Sequence, residues 1–266
     1  MMINIDKNLF LQYAHNIIAV TSGVGSVGKT WLATTLAQAL NVQKRSVLLF
    51  DAGGGLSGID FQLGLAERQT LDDVLKGQMT FNQAITHINK RRFDALIASA
   101  GSDLLENLPE GQLQILRDYL MITAQNYDYV IVDLPPSEKV IKHLMPLHTK
   151  KILVCTGEPS DLVNAYRFLQ HTDIHSDHAA LQIVINYAQS YEDGLRAYNT
   201  LRHACEQYVE WKPRFLGVVR RDTRVRDAIR NHVLLLNRYP NSEAAEDVMR
   251  IAAKIINGEP LNENVS

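Results

Sequence analysis

Cysteine is nearly missing from this chain: 266 residues carry two, Cys155 and Cys205. Two thiols so far apart make neither a disulfide framework nor a metal site of their own. Cys155 closes the apolar run Ile152-Leu153-Val154-Cys155 and reads as a buried strand residue. An excess of one charge is missing too. Lys and Arg number 27, Asp and Glu 29, for a net charge of −2. That balance excludes a global polycation that coats nucleic acid, though not a local basic patch. With 15 glycines and 8 prolines, the chain is neither collagen-like nor low-complexity. No apolar run approaches the roughly 18 residues of a membrane-crossing helix. The first residues show no basic stretch leading into an apolar segment, so no secretory signal is visible. The expected location is the cytoplasm.

What remains is an ordinary globular composition, 46% hydrophobic and 21% charged, which is too apolar and too balanced for a disordered chain. Short apolar, β-branched runs fall at 17–21, 47–51, 95–98, 129–133, 152–156, 181–186 and 215–219. Helix-compatible stretches lie between or after them, at 29–42, 110–126, 138–147, 159–171, 192–208, 223–231 and 242–257. Near-continuous apolar strands alternating with helices imply a doubly wound α/β fold, with a mostly parallel sheet of about seven or eight strands covered on both faces. Pro109 and Pro159 stand where helices can begin. Asn241 or Ser242 is a candidate N-cap for the last helix, and Gly258 and Pro260 stop it. With no repeat or linker visible, residues 1–258 read as one domain and 259–266 as a polar tail.

The strongest local signal is Gly23-Val24-Gly25-Ser26-Val27-Gly28-Lys29-Thr30, which fits G-x-x-x-x-G-K-[ST] and stands between an apolar strand and a helix that opens with Trp31. The glycines let the backbone curl until successive N–H groups converge on phosphate oxygens, and the helix N-terminus adds its positive dipole end. In this pattern Lys29 reaches the β- and γ-phosphates and the Thr30 hydroxyl binds Mg²⁺. Residues 23–31 are therefore the expected phosphate cradle. The run Tyr129-Val130-Ile131-Val132-Asp133 is an apolar strand ending in a carboxylate, the Walker B pattern, with Asp133 on the metal side. Asp51 ends another such strand ahead of Gly53-Gly54-Gly55. It reads either as a second metal-side acid or as a turn former.

These residues carry a family resemblance. From Asn16 to about Asn257 the chain resembles the MinD/ParA group of P-loop ATPases (SIMIBI-type P-loop NTPases). Within that group it is similar to the MinD-like regulators of flagellar number and placement called FlhG or FleN. The shared segments are the phosphate loop, F-D-A-G-G-G-L-S-G-I-D-F-Q-L-G-L (50–65), T-L-D-D-V-L-K-G (70–77), A-S-A-G-S-D-L-L-E-N-L (98–108), D-Y-V-I-V-D-L (128–134), T-G-E-P-S-D (156–161) and G-V-V-R-R-D-T-R-V-R-D-A-I (217–229). The resemblance implies ATP or ADP with Mg²⁺ and a homodimer that sandwiches the nucleotide, or a pairing with a related ATPase. It also implies a protein partner in a polar or flagellar assembly, and catalytic roles for Lys29 and Asp51. It puts Asn186 at the position that reads the adenine amide edge, Arg221 and Asp222 along the base, and Glu158 near the dimer interface.

Two positions depart from that pattern. Family members carry a lysine where this chain has Val24, and that lysine crosses the dimer interface to the partner's nucleotide. They also carry a second acid, which positions the attacking water, where this chain has Gly53. Valine offers a backbone N–H but no cation, and glycine cannot orient water. Phosphoryl transfer runs mainly on positioning and electrostatics, so losing both groups should cripple hydrolysis while sparing the cradle. Two readings follow: a weak ATPase that acts as a positioning switch, or an inactive scaffold that partners an active relative.

Three further features read as ordinary structure. The stripe Val248, Ile251, Ala252 and Ile255 fits a helix packed on the domain better than a basic helix lying on the inner face of the cell membrane, since Arg250 and Lys254 are its only cations. Arg220, Arg221, Arg224, Arg226 and Arg230 form the densest basic cluster. DNA binding is the alternative they allow, and a solvated helix face is the favoured reading. His171, Asp173, His175, Asp177 and His178 have the residue types of metal ligands but no organising spacing, so they read as a polar loop.

Overall fold

A computed structural model describes residues 15–53, 58–65, 69–89, 93–98, 103–145, 148–171, 181–209 and 211–258. Eight strands form one sheet: β1 (Ile17–Ser22), β2 (Val47–Asp51), β3 (Thr86–Asn89), β4 (Phe93–Leu96), β5 (Tyr129–Asp133), β6 (Lys150–Thr156), β7 (Leu181–Ala188) and β8 (Arg214–Arg220). Their order is β3-β4-β2-β5-β1-β6-β7-β8, and every pairing is parallel except β3 with β4 at the edge. The expected doubly wound α/β sheet is therefore present, with the antiparallel edge strand β3 added.

The longer helices are α1 (Lys29–Val42), α5 (Glu110–Ala124), α6 (Glu138–Leu144), α7 (Pro159–His171), α8 (Tyr191–Tyr208), α9 (Thr223–Arg230) and α11 (Glu243–Asn257). Four α-helices are short, α2 (Ile59–Leu63), α3 (Leu71–Leu75), α4 (Leu104–Asn107) and α10 (Leu235–Arg238), and Phe81–Ala84 form a 3-10 turn. Side chains alternate across each strand, so a strand buried on both faces must be apolar at every position. In β1, Ile18 and Val20 pack with Leu32, Leu36 and Val248 on one face. Ile17 and Ala19 pack with Leu116, Leu120 and Val140 on the other. Helices α1 and α11 cover the first face. Helices α5 and α6 cover the second, and a further apolar cluster under α7 and α8 extends it.

Helix α11 is tied into this core. Val248, Ile251, Ala252 and Ile255 are all buried, as the packed reading required. Ser242 caps the helix by accepting from the Ala245 N–H, and Gly258 ends it in the left-handed conformation. Arg220, the last residue of β8, docks on the same helix. Its guanidinium meets Asp247, Glu243 and Glu246, and its main-chain N–H donates to the buried Asp247 carboxylate at 2.9 Å. One arginine of the basic cluster, Arg220, is thus spent on acids within the chain.

Sheet order decides where a site can form. β1 stands between β5 and β6, and the chain builds outward in one direction through β2 and β4 and in the other through β6, β7 and β8. Open α/β sheets hold ligands at such a switch point, beyond the carboxyl ends of the strands. The loop from β1 to α1, the end of β5 and the end of β6 all meet there.

Candidate functional site

The loop 23–28 leaves β1 and turns into α1 through two left-handed residues, Ser26 (φ 66°) and Gly28 (φ 84°). The Gly28 carbonyl accepts from Leu32 N at 2.9 Å, so Lys29, Thr30 and Trp31 make up the first helical turn, whose N–H groups have no carbonyl before them. No side chain caps them. They therefore point beyond the helix as free donors, at the positive end of a fourteen-residue helix that is buried along most of its length. The Trp31 indole is buried in the core, and this residue offers the loop only its main chain. The Ser22 hydroxyl fixes the loop's start by donating to the Val24 carbonyl at 2.7 Å. The Val24 side chain packs, half-buried, against the core cluster of α1.

Glycine is required at two loop positions for different reasons. A Cβ on Gly23 would lie 2.4 Å from the Asn164 carbonyl oxygen, because the loop runs against the backbone of α7. A Cβ on Gly28 would lie 2.4 Å from Asn186 Nδ2 and 2.8 Å from the Tyr187 hydroxyl, on top of its left-handed φ. Gly25 has open space around the same position.

Beneath the loop lie the acids. Asp51 and Asp133 are register partners at the ends of β2 and β5, and both are buried. Lys29 Nζ pairs with Asp133 Oδ1 at 3.3 Å. Asp51 accepts from Gly53 N at 2.9 Å and from Ile59 N at 3.3 Å, so it also ties Gly53 and the start of α2 to the end of β2. A Cβ on Gly53 would sit 3.7 Å from Asp51 Oδ1 and 3.8 Å from Asp133 Oδ2, in ordinary contact. The position that carries an acid in the resembled family thus faces both carboxylates and has room for a Cβ.

At the other end of the loop, Asn186 is buried and its Nδ2 donates to the Val27 carbonyl at 2.8 Å. It braces the cradle from behind. Arg221 N donates to the Ala188 carbonyl at 2.8 Å, which ties the exit of β8 to the end of β7. Asp222 is the N-cap of α9 and accepts from Arg224 N at 2.9 Å. Glu158, Arg221 and Ser26 line one open cleft of about 940 Å³. The structure therefore gathers the sequence-derived residues Gly23 to Trp31, Asp51, Asp133, Asn186, Arg221 and Asp222 around one end of the sheet. Of the histidine–aspartate candidates, the side chain of His171 and all of Asp173, His175, Asp177 and His178 lie outside the described residues. Among the described residues, no group of three or more His, Cys, Asp or Glu side chains could hold a metal ion. No described helix is long and apolar enough to cross a membrane. Tyr187, which contacts the loop at Gly28, has no local sequence signal; only its place after Asn186 at the strand end marks it.

Comparison with known proteins agrees with this geometry. The chain is 26% identical over 251 residues to the antiactivator FleN of Pseudomonas aeruginosa, covering 94% of this chain and 89% of that protein. It is 28% identical over 250 residues to the septum site-determining protein MinD of Bacillus subtilis, covering 90% and 88%. It is 22% identical over 243 residues to the flagellum site-determining protein YlxH of Helicobacter pylori, covering 90% and 81%. The fold is shared with the MinD cell division protein of Aquifex aeolicus, with a TM-score of 0.74 at 20% identity over 93% of this chain and 99% of that one. The model of the CobQ/CobB/MinD/ParA nucleotide binding domain matches residues 18–236, and the chain belongs to that family.

Proposed function

We propose that the protein is an ATP-binding regulator of spatial positioning or assembly, of the flagellar type, which turns its nucleotide over very slowly. The observation that carries the nucleotide reading is the uncapped first turn of α1 behind a loop with two left-handed residues, with Lys29 standing over the Asp51–Asp133 pair. Likeness to the antiactivator FleN and to YlxH, a flagellum site-determining protein, supports the flagellar assignment. The partner is then a protein of a polar or flagellar assembly, and the working form is a nucleotide-dependent homodimer or a pair with a related ATPase. A membrane does not enter the proposal, because the apolar face of α11 is buried, and DNA is not favoured, because Arg220 of the basic cluster is paired with acids of α11.

In this reading the N–H groups of residues 23–31 hold the phosphates and Lys29 moves from Asp133 onto them. Asn186 keeps the loop in shape, and Arg221 and Asp222 flank the base. The residues present fit a divalent cation: the buried Asp51 and Asp133 carboxylates end adjacent strands side by side, and the Thr30 hydroxyl belongs to the first turn of α1. Bound Mg²⁺ would neutralise phosphate charge there, held by Thr30, Asp51 and Asp133. What the chain lacks is a cation at Val24 and an acid at Gly53, so binding is retained and hydrolysis is not supported. That absence also favours a second reading, an inactive scaffold that partners an active relative.

Equilibrium binding of a fluorescent ATP analogue with Mg²⁺ tests the proposal. Wild type should bind, and Lys29→Ala should bind at least about ten-fold more weakly, because a charge-assisted phosphate contact is lost. A wild type with no affinity for the analogue would refute it.

A further inference from the structure

We infer that Tyr187 is the stacking wall for a purine base beside the phosphate loop, and so a specificity-determining residue of the site; this rests on the nucleotide reading above. Tyr187 follows Asn186 at the carboxyl end of β7. Its backbone is left-handed, with φ 59°. For a bulky aromatic residue this is a rare, strained conformation that persists only when its surroundings impose it, and such residues cluster at ligand sites. Here the strain turns the ring onto the loop. The position a Cβ would take on Gly28 is 2.8 Å from the Tyr187 hydroxyl and 3.1 Å from Cζ. The ring therefore touches the loop at the residue that opens α1, next to the free N–H groups of the cradle.

The ring is not sealed in. Tyr187 is 42% exposed, and it lines the 940 Å³ cleft together with Ser26, Arg221 and Arg226. Burial of part of the phenol raises its pKa, and the positive charge of Arg226 works against that rise. Arg221 comes from the next strand end, tied to Ala188 by its main-chain N–H. An aromatic face on one strand end and cations on the next are the components that hold a flat π system by stacking and cation–π contact. The neighbouring Asn186 is buried, donates an amide N–H to the Val27 carbonyl and offers no aromatic face for stacking. The open wall at this end of the loop falls to Tyr187.

The test separates base recognition from simple support of the loop. Affinities for ATP and for inorganic tripolyphosphate, each with Mg²⁺, are measured for wild type, Tyr187→Phe, Tyr187→Leu and Tyr187→Asn. Asparagine accepts the left-handed backbone readily, so it removes the ring without forcing the strand end. The inference expects Tyr187→Phe to match wild type. It expects Tyr187→Leu and Tyr187→Asn to bind ATP about ten-fold more weakly while keeping their affinity for tripolyphosphate. Equal losses for both ligands would make Tyr187 a prop of the loop and overturn the inference. An unchanged or increased ATP affinity would also overturn it. A wild type that binds tripolyphosphate but not ATP would refute the base wall while leaving the cradle standing; one that binds neither would remove the nucleotide reading itself.

Discussion

The three glycines of the phosphate loop should respond to the same substitution in three different ways. Gly28→Ala places a methyl group 2.4 Å from Asn186 Nδ2 in a residue with φ 84°. The left-handed backbone costs about 1–2 kcal/mol for a residue with a Cβ. Displacing the amide gives up its hydrogen bond to the Val27 carbonyl, about 1 kcal/mol, and crowding at the tight contact adds about 1 kcal/mol more. The sum is about 3–4 kcal/mol, or a fall in Tm of roughly 10 °C for a chain of this size. Gly23→Ala meets a backbone carbonyl at 2.4 Å with no unusual φ, so only the crowding acts and the loss is about 1–3 kcal/mol. Gly25→Ala meets nothing and should stay within about 0.5 kcal/mol of wild type. Thermal denaturation of the three variants without nucleotide reads this order directly. A Gly25→Ala variant destabilised as much as Gly28→Ala, or a Gly28→Ala variant with unchanged Tm, would refute the geometry of the loop.

Two further predictions concern the rest of the fold. Asp247→Ala strips the buried carboxylate from Arg220 and leaves its main-chain N–H and guanidinium without that partner, so stability should fall by about 2–4 kcal/mol in urea unfolding, whereas Glu243→Ala, whose side chain is mostly exposed, should cost under about 1 kcal/mol. Burial pushes the Cys155 thiol up to about 12 and the Cys205 thiol up to about 11. Both should stay unreactive toward a thiol reagent at pH 8 in the folded protein and react on unfolding. Because these pKa values are raised in the folded state, the stability they contribute is complete below the unfolded value near 9. It should be lost as pH rises from there through 11 to 12, which alkaline unfolding curves of Cys155→Ala and Cys205→Ala would show as a shallower decline.

Much of this architecture was legible in the sequence because the features involved are local. The apolar runs of β1, β2, β5, β6, β7 and β8 declare strands buried on both faces, and the phosphate loop announces itself by glycine spacing. The misses have physical causes. β3 is a short edge strand whose residues alternate between half-buried and exposed, so Thr86–Asn89 leaves no apolar run. β4 occupies Phe93–Leu96, ahead of the expected 95–98, because Asp94 interrupts the pattern. That aspartate is buried, with the Tyr127 hydroxyl and the His87 ring each at 2.7 Å from its carboxylate, partners that only the folded sheet supplies. Helices α2, α3, α4 and α10 have four or five residues and are too short to show a helical period. At the site, the two absences at Val24 and Gly53 were visible against the family pattern. The grip of Asn186 and Tyr187 on a loop some 160 positions earlier was not, since it depends on the order of strands.

Steady-state phosphate release by the wild type and by the double variant Val24→Lys, Gly53→Asp separates a nucleotide-binding switch from a working ATPase. A Cβ at Gly53 meets its neighbours only at ordinary contact distance, the nearest at 3.7 Å, and Val24 is half-buried rather than sealed in the core. The wild type should bind ATP yet scarcely turn it over, and the double variant should be faster by at least about 100-fold, since a cation supplied across a phosphoryl-transfer site is worth about 10³–10⁵ in rate. A wild type with robust turnover that is abolished by Lys29→Ala would contradict that expectation.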